Sequence, residues 1–168
     1  MTPPLRPYRH LRNNKVSVGG LRRPTPMTDS DRRKNPPETT MVIENRLAAA
    51  REPERAILEQ ARRHGYSNDA CFAIRLALEE ALTNAIKHGN GGDPSKRVTI
   101  RYSIGPEEAV IYVADEGAGF EPCNVPDCTA PERISLPDGR GIMLMRAYLD
   151  EVTFSRRGNE VRLLKKNK

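Results

Sequence analysis

Glu80, Asn84 and His88 follow one another at intervals of four residues within a largely apolar segment. On an α-helix this spacing aligns side chains along one edge. The amide oxygen of Asn84 can bind a hard cation such as Mg²⁺, which prefers oxygen ligands. The carboxylate of Glu80 can orient or deprotonate a hydroxyl group or a water molecule. Ordinary solvated helices carry the same residue types, so this segment alone does not predict a site.

A second candidate segment is the sequence DEGAGF, which begins at Asp115 directly after an apolar stretch. An aspartate at the end of a strand can accept a hydrogen bond from an exocyclic amine such as that of adenine. Gly117 and Gly119 allow the backbone to turn and to approach a ligand without obstruction by side chains. A simple Asp-Glu-Gly turn would have the same sequence.

A third segment, DGRGIM, begins at Asp138 and opens a predicted helix. Glycines at the start of a helix expose backbone N–H groups, and the helix dipole favours a phosphate there. The segment is neither a Walker A loop, since no Gly-Lys-Ser/Thr follows, nor a dinucleotide fingerprint, since no strand leads into it. A glycine-rich loop that only begins a helix is the alternative.

The elements that must position these segments are read from apolar periodicity and from turn residues. Their order predicts an α+β fold, a two-layer sandwich with a mixed, mainly antiparallel sheet and helices packed on one face. A loop over residues 121–138, with four prolines, is long enough to suggest a functional lid. Strands are predicted over 40–46, 97–104, 109–114, 151–156 and 160–165, and helices over 52–64, over 69–87 and from Gly141.

Charge is distributed unevenly along the chain. Residues 1–38 hold nine of the 28 Lys and Arg, three of the 22 Asp and Glu, and seven of the 14 prolines. This composition predicts a disordered, basic, Pro-rich tail before a domain over 39–168 that is neutral overall. The pI of about 9.5 therefore belongs to the tail, and we expect no direct nucleic-acid partner.

The chain has no continuous apolar run of the length needed for a secretory signal or a membrane span, so no membrane partner is expected. Three cysteines without a repeating framework suit a reducing compartment, and we expect a cytoplasmic protein. Cys123 and Cys128 could form half of a metal site, but a second pair of ligands at suitable spacing is missing.

In this order the three segments resemble the N, G1 and G2 boxes of GHKL (histidine-kinase-like, Bergerat) ATPases. The resemblance is closest to the anti-sigma-factor serine/threonine kinases and covers residues 40–166. Its most telling parts are LEEALTNAIKHG, from Leu78, and DEGAGF, from Asp115. The ordered combination is specific, although each box alone is not.

The resemblance implies a role for each motif position. Glu80 would be the general base, Asn84 the Mg²⁺ ligand and Asp115 the acceptor for the adenine amine. Residues 121–138 would form a lid over ATP. The nucleotide would be bound by residues of all three boxes, namely Asn84, Lys87, His88, Asp115, Gly117, Gly119, Gly139, Arg140, Gly141, Ile142 and Met143.

Two positions depart from the family pattern. Pro137 and Asp138 stand where family lids often have a basic residue, so either Arg133 or Arg140 would contact the γ-phosphate. Related proteins also often have threonine in the last strand near adenine, where this chain has Arg162.

The resemblance implies a kinase that uses ATP and Mg²⁺ to phosphorylate a STAS-type anti-sigma antagonist. It would regulate a sigma factor by switching between these two partners, and a homodimer is left open. The alternative is a non-catalytic module that binds ATP and a protein partner. Glu80 favours the enzyme, because a binding module needs no base at that position.

Overall fold

The computed structural model describes residues 36–119 and 140–168, which form a layer of helices on a five-stranded sheet. A 3₁₀ helix follows the first strand, and a turn with π-helical hydrogen bonding, here called the π turn, ends the second helix. The elements in chain order are β1 (Thr39–Glu44), the 3₁₀ helix (Leu47–Ala50), α1 (Arg51–Arg63), α2 (Asn68–Thr83), the π turn (Asn84–Gly89), β2 (Arg97–Ile104), β3 (Glu108–Asp115), α3 (Arg140–Tyr148), β4 (Glu151–Phe154) and β5 (Glu160–Lys166).

The strands lie in the order β1-β2-β3-β5-β4, and each described pairing is antiparallel. β2 and β3 are joined by a short turn in which the N–H of Gly105 donates to the carbonyl of Glu108 at 2.9 Å. The predicted α+β architecture with a mainly antiparallel sheet is confirmed. Short turns join β2 to β3 and β4 to β5, and strands joined in this way must pair antiparallel.

The core lies between the helices and one face of the sheet. Alternate residues of β2 are buried, whereas those between them are only partly covered. The apolar side of α2 and the π turn packs onto this face, and each of its residues exposes 5% or less of its surface. This arrangement buries one stripe of the helix and one face of the sheet. The buried stripe of α2 and the π turn comprises Ile74, Leu78, Ala81, Leu82 and Ala85.

The prediction of one α-helix over 69–87 is wrong at its C-terminal end. The α-helical pattern stops at Thr83, and the π turn takes over. Beyond it, the N–H of Asn90 donates to the carbonyl of Ala85, five residues earlier, at 2.8 Å. The wider turn changes the direction in which the following residues leave the helix. The 3₁₀ helix at Leu47–Ala50 was not predicted either.

Several predictions lie outside the described residues. They are the tail up to residue 35 and the loop and lid over 121–138, with Cys123, Cys128, Arg133, Pro137, Asp138 and Gly139. Pro36 and Glu38 do contact the sheet: the Ser103 hydroxyl donates to the Pro36 carbonyl, and Arg101 lies 3.3 Å from the Glu38 carboxylate. Within the described ranges, every helix is too short or too polar to cross a bilayer.

Candidate nucleotide-binding site

Glu80 and Asn84 meet the start of α3 at one edge of the helical layer. Both side chains are half-buried, and α2 packs against α3. A Cβ placed on Gly141 would lie 2.5 Å from Oε2 of Glu80 and 3.6 Å from Nδ2 of Asn84. Any side chain at position 141 would therefore press on the Glu80 carboxylate. The fold thus brings together residues of two motifs that lie about 60 residues apart in sequence.

Asp115 meets the end of the π turn at the same edge. A Cβ on Gly89 would overlap the Asp115 carboxylate, and one on Gly117 would overlap the carbonyl of Gly89. The N–H of Gly117 donates to Oδ1 of Asp115 at 2.8 Å. Glycine is required at both positions because backbone and carboxylate are in direct contact there. The DEGAGF motif therefore packs directly against the end of the LEEALTNAIKHG motif.

The carboxylate of Asp115 sits in an environment that opposes its charge. Burial raises its pKa, while the hydrogen bond from the Gly117 N–H and the positive charge of Lys96 lower it. Oδ1 is engaged by Gly117, and within residues 36–119 and 140–168 no donor contacts Oδ2. A half-buried carboxylate with one free oxygen can accept a hydrogen bond from an amine of a bound ligand.

Two asparagines that the sequence analysis did not single out hold the backbone around Asp115. The backbone carbonyl of Asn159 accepts a hydrogen bond from the Asp115 N–H at 2.9 Å, and its side-chain Nδ2 donates to the Asp115 carbonyl at 3.3 Å. Asn90, which exposes 2% of its surface, accepts the N–H of Glu116 at 2.9 Å. The sequence indicated these two residues only by their positions. Asn90 directly follows Gly89, the last residue of the π turn, and Asn159 directly precedes β5.

The other predicted site residues are placed as follows. Lys87 and His88 are exposed on the π turn, and Met143 is exposed on α3. Ile142 is partly buried and packs against the core. Gly119 adopts φ +80°, and its backbone lies against the carbonyl of Arg157, in the turn between β4 and β5.

Arg140 is the first residue of α3. Arg162 pairs across the sheet with Tyr112 on the face opposite the helices. There its guanidinium contacts the Glu151 carboxylate at 2.8 Å. Arg162 therefore does not point towards the helical layer.

The donor set at this edge fits MgATP. Mg²⁺ commonly keeps several waters and takes few protein oxygen ligands beside the phosphate oxygens of a nucleotide, so the amide oxygen of Asn84 would supply one protein ligand. The described residues contain no group of three or more His, Cys, Asp and Glu that could hold a metal by themselves. The bare backbone of Gly141 leaves the space beside Glu80 and Asn84 unobstructed by a side chain at that position.

The fold and the site together are those of a nucleotide-binding α+β sandwich. The chain belongs to the histidine kinase-like ATPase domain family, whose family model matches residues 43–165. It is 35% identical over 100 residues to an anti-sigma F factor of Clostridium perfringens, covering 56% of this chain and 70% of the relative. It is 29% identical over 101 residues to the serine-protein kinase RsbW of Listeria monocytogenes, covering 55% of this chain and 62% of that protein.

A solved structure shares the fold. The crystal structure of the RsbU and RsbW domains of a Mycobacterium tuberculosis protein superposes with a TM-score of 0.54 at 16% identity. The match covers 79% of this chain and 32% of that chain, so this chain spans about a third of its length.

Proposed function

We infer that this protein is an ATP-dependent serine/threonine kinase of the anti-sigma-factor type. The observation that supports the proposal is the junction of Glu80, Asn84 and Gly141, where a carboxylate and a carboxamide lie beside a glycine in the first turn of α3. Helix N-termini favour phosphate groups. The relatives named as an anti-sigma factor and a serine-protein kinase support the same activity.

In the proposed reaction, ATP supplies the γ-phosphoryl group, and bound Mg²⁺ would supply positive charge that stabilises the transfer. Glu80 takes the proton of the substrate hydroxyl. The hydroxyl oxygen forms a bond to the γ-phosphorus, the bond from the γ-phosphorus to the bridging oxygen of the β-phosphate breaks, and ADP leaves. General-base assistance of this kind contributes about 10²–10⁴-fold. Asn84 would hold the metal, and the Asp115 carboxylate would accept a hydrogen bond from the adenine amine. Positioning of the phosphates supplies much of the remaining acceleration.

The proposed substrate is a serine or threonine of a STAS-type anti-sigma antagonist, and the proposed second partner is a sigma factor. The sigma factor follows from the name of the anti-sigma F factor relative, and the STAS-type substrate follows from the resemblance of the motifs. The proposed setting is the cytoplasm. The non-catalytic ATP-binding module is the competing function, and retention of Glu80 beside Asn84 favours the kinase.

The proposal is tested by following the transfer of labelled γ-phosphate from ATP to STAS proteins encoded near the gene. Nucleotide affinity is measured for each variant as well. Glu80→Gln should lower the transfer rate by about 10²–10⁴-fold and spare ATP affinity, because it removes the base but keeps the shape of the side chain. Asn84→Ala should abolish the Mg²⁺ dependence of ATP binding. Glu79→Gln is the matched control, since Glu79 is the exposed neighbouring carboxylate and contacts Arg75 at 3.0 Å.

Each outcome has a defined meaning. Full transfer by Glu80→Gln would reject the base assignment. Affinity for MgATP unchanged in Asn84→Ala would reject the metal assignment. ATP binding by the native protein without transfer to any STAS protein would favour the non-catalytic module.

A further inference from the structure

Asn90 is the centre of a buried amide network that the proposed reaction does not use. Its Nδ2 donates to Oδ1 of Asn45 at 3.1 Å and to the carbonyl of Arg97 at 2.9 Å. Its Oδ1 accepts the N–H of Glu116 at 2.9 Å. Asn45 exposes 7% of its surface and donates in turn to the carbonyl of Asp93 at 2.8 Å. The network joins the end of β1, the end of the π turn, the start of β2 and the end of β3.

The hydrogen bonds fix which way the amide of Asn90 points. The Glu116 N–H requires an acceptor and the Arg97 carbonyl requires a donor, so the amide oxygen must face Glu116. Buried polar groups that lose their partner are costly, so the reversed orientation is strongly disfavoured. Asn90 therefore acts as a directional clamp on the residue that follows Asp115.

Asn90 also acts on Asp115 from a second side. It follows Gly89 directly, and the backbone of Gly89 lies against the Asp115 carboxylate. Asn90 thus fixes both the residue after Asp115 and the glycine against which its carboxylate rests. We propose that Asn90 is a positioning residue that aims the free oxygen of Asp115 and thereby sets the selectivity of the site for a purine that carries an exocyclic amine. This inference rests on the proposed binding of ATP.

Comparison of ATP with inosine triphosphate tests the inference, because the inosine base has an oxygen where adenine has the amine. The native protein should bind ATP more tightly. Asn90→Ala removes the acceptor for the Glu116 N–H, so the ratio of ATP affinity to inosine triphosphate affinity should fall about tenfold, the order expected for loss of one hydrogen bond to a charged group. Isothermal titration calorimetry of both nucleotides with the full chain gives the ratio.

Asn45→Ala is the matched control. It removes another buried amide of the same network, one that contacts no residue of the β3 end, while Asn90 keeps Arg97 as an acceptor for its amide. This variant should lose thermal stability and keep the native ratio. Asn90→Asp is the conservative variant: it keeps an acceptor for the Glu116 N–H and should keep a higher ratio than Asn90→Ala, despite lower stability. If Asn90→Ala does not fold, Asn90→Ser replaces it.

The two ideas fail in different ways. If the native protein and Asp115→Asn show the same ratio, the proposed adenine contact fails, and this inference fails with it. If the ratio depends on Asp115 but is unchanged in Asn90→Ala, only the role of Asn90 is overturned. An equal fall of the ratio in Asn45→Ala would also overturn it, because the effect would then be general loosening of the network.

Discussion

At the scale of single residues, Asp115 is placed at a cost to stability. Burial raises the pKa of its carboxyl group, so the folded protein holds the charged form less readily than water does. The hydrogen bond from Gly117 and the charge of Lys96 offset only part of this effect. Half-buried carboxylates with a raised pKa are common in binding sites, because stability alone would favour a neutral side chain there.

Asp115→Asn should weaken ATP binding and stabilise the free protein. The single amide oxygen would take the Gly117 N–H, which turns the amide NH₂ towards the adenine amine. Loss of a hydrogen bond to a charged group predicts about 10–100-fold weaker binding. Titration calorimetry measures the affinity, with Glu107→Gln, an exposed carboxylate before the other end of β3, as control. Native affinity in Asp115→Asn would contradict the assignment.

The pH dependence of stability follows from the same residue. Because its folded pKa is raised, Asp115 contributes stability that is fully present below its ordinary value of 3.8 and is lost as the pH rises through the folded pKa. The stability advantage of Asp115→Asn should therefore appear near neutral pH and vanish in acid, as measured by thermal unfolding without nucleotide.

At the scale of elements, the site depends on how α2 ends and α3 begins. The π turn carries Gly89 to the Asp115 carboxylate, and Gly141 sets α3 against Glu80. The contact at Gly141 involves the flexible end of a side chain, whereas the one at Gly117 involves backbone. Substitutions at these two glycines should therefore differ: one at Gly141 should displace the Glu80 carboxylate, and one at Gly117 should displace the backbone of Gly89.

Gly141→Ala should lower phosphotransfer far more than stability. The new Cβ would displace the Glu80 carboxylate, while alanine is a better helix former than glycine by up to about 1 kcal/mol. Loss of a positioned base predicts a fall in the transfer rate on the order of 10². Single-turnover transfer and thermal unfolding separate the two effects. Ala147→Gly controls for helix propensity on an exposed position of α3, and an unchanged rate in Gly141→Ala would contradict the described junction.

The element order and the buried stripe of α2 could be predicted because both follow from local periodicity. The motif order also predicted Glu80, Asn84, Asp115 and Gly141 as one site. The structure brings Gly141 to Glu80 and Asn84, and Gly89 to Asp115, while the roles of these residues stay predictions. The π turn could not be predicted, since its apolar pattern continues that of α2. Nor could the role of Asn90, because its partners at positions 45, 97 and 116 are distant in sequence.

At the scale of the whole molecule, the site and the chain terminus occupy opposite ends of the sheet. β3 runs from Glu108 to Asp115, and β5 ends beside Glu108. Near that end, Asn167 donates to the carbonyls of His64 and Pro106 at 3.0 and 2.9 Å. The terminus is thereby tied to the end of α1 and to the turn between β2 and β3. We therefore expect that stability can be changed at this end without a change at the site.

Asp150 offers the sharpest test of that separation. The Lys166 N–H donates to its carboxylate at 2.9 Å, and Lys168 and Lys165 lie at 3.0 and 3.5 Å. The hydrogen bond from the Lys166 N–H, followed by that from Lys168, lowers its pKa to about 2. A lowered folded pKa gives stability that is present above the ordinary value of 3.8 and is lost as the pH falls towards 2.

Asp150→Asn should therefore destabilise the protein at neutral pH by about 1 kcal/mol, after allowance for solvent screening of the lysine charges. The difference from the native protein should shrink as the pH falls from 3.8 to about 2. Urea unfolding across this range measures it. Lys168→Ala should show the smaller part of the loss, because it leaves the Lys166 N–H in place. ATP affinity should stay native in both variants, and a loss of affinity in proportion to stability would show that the two ends of β3 are coupled.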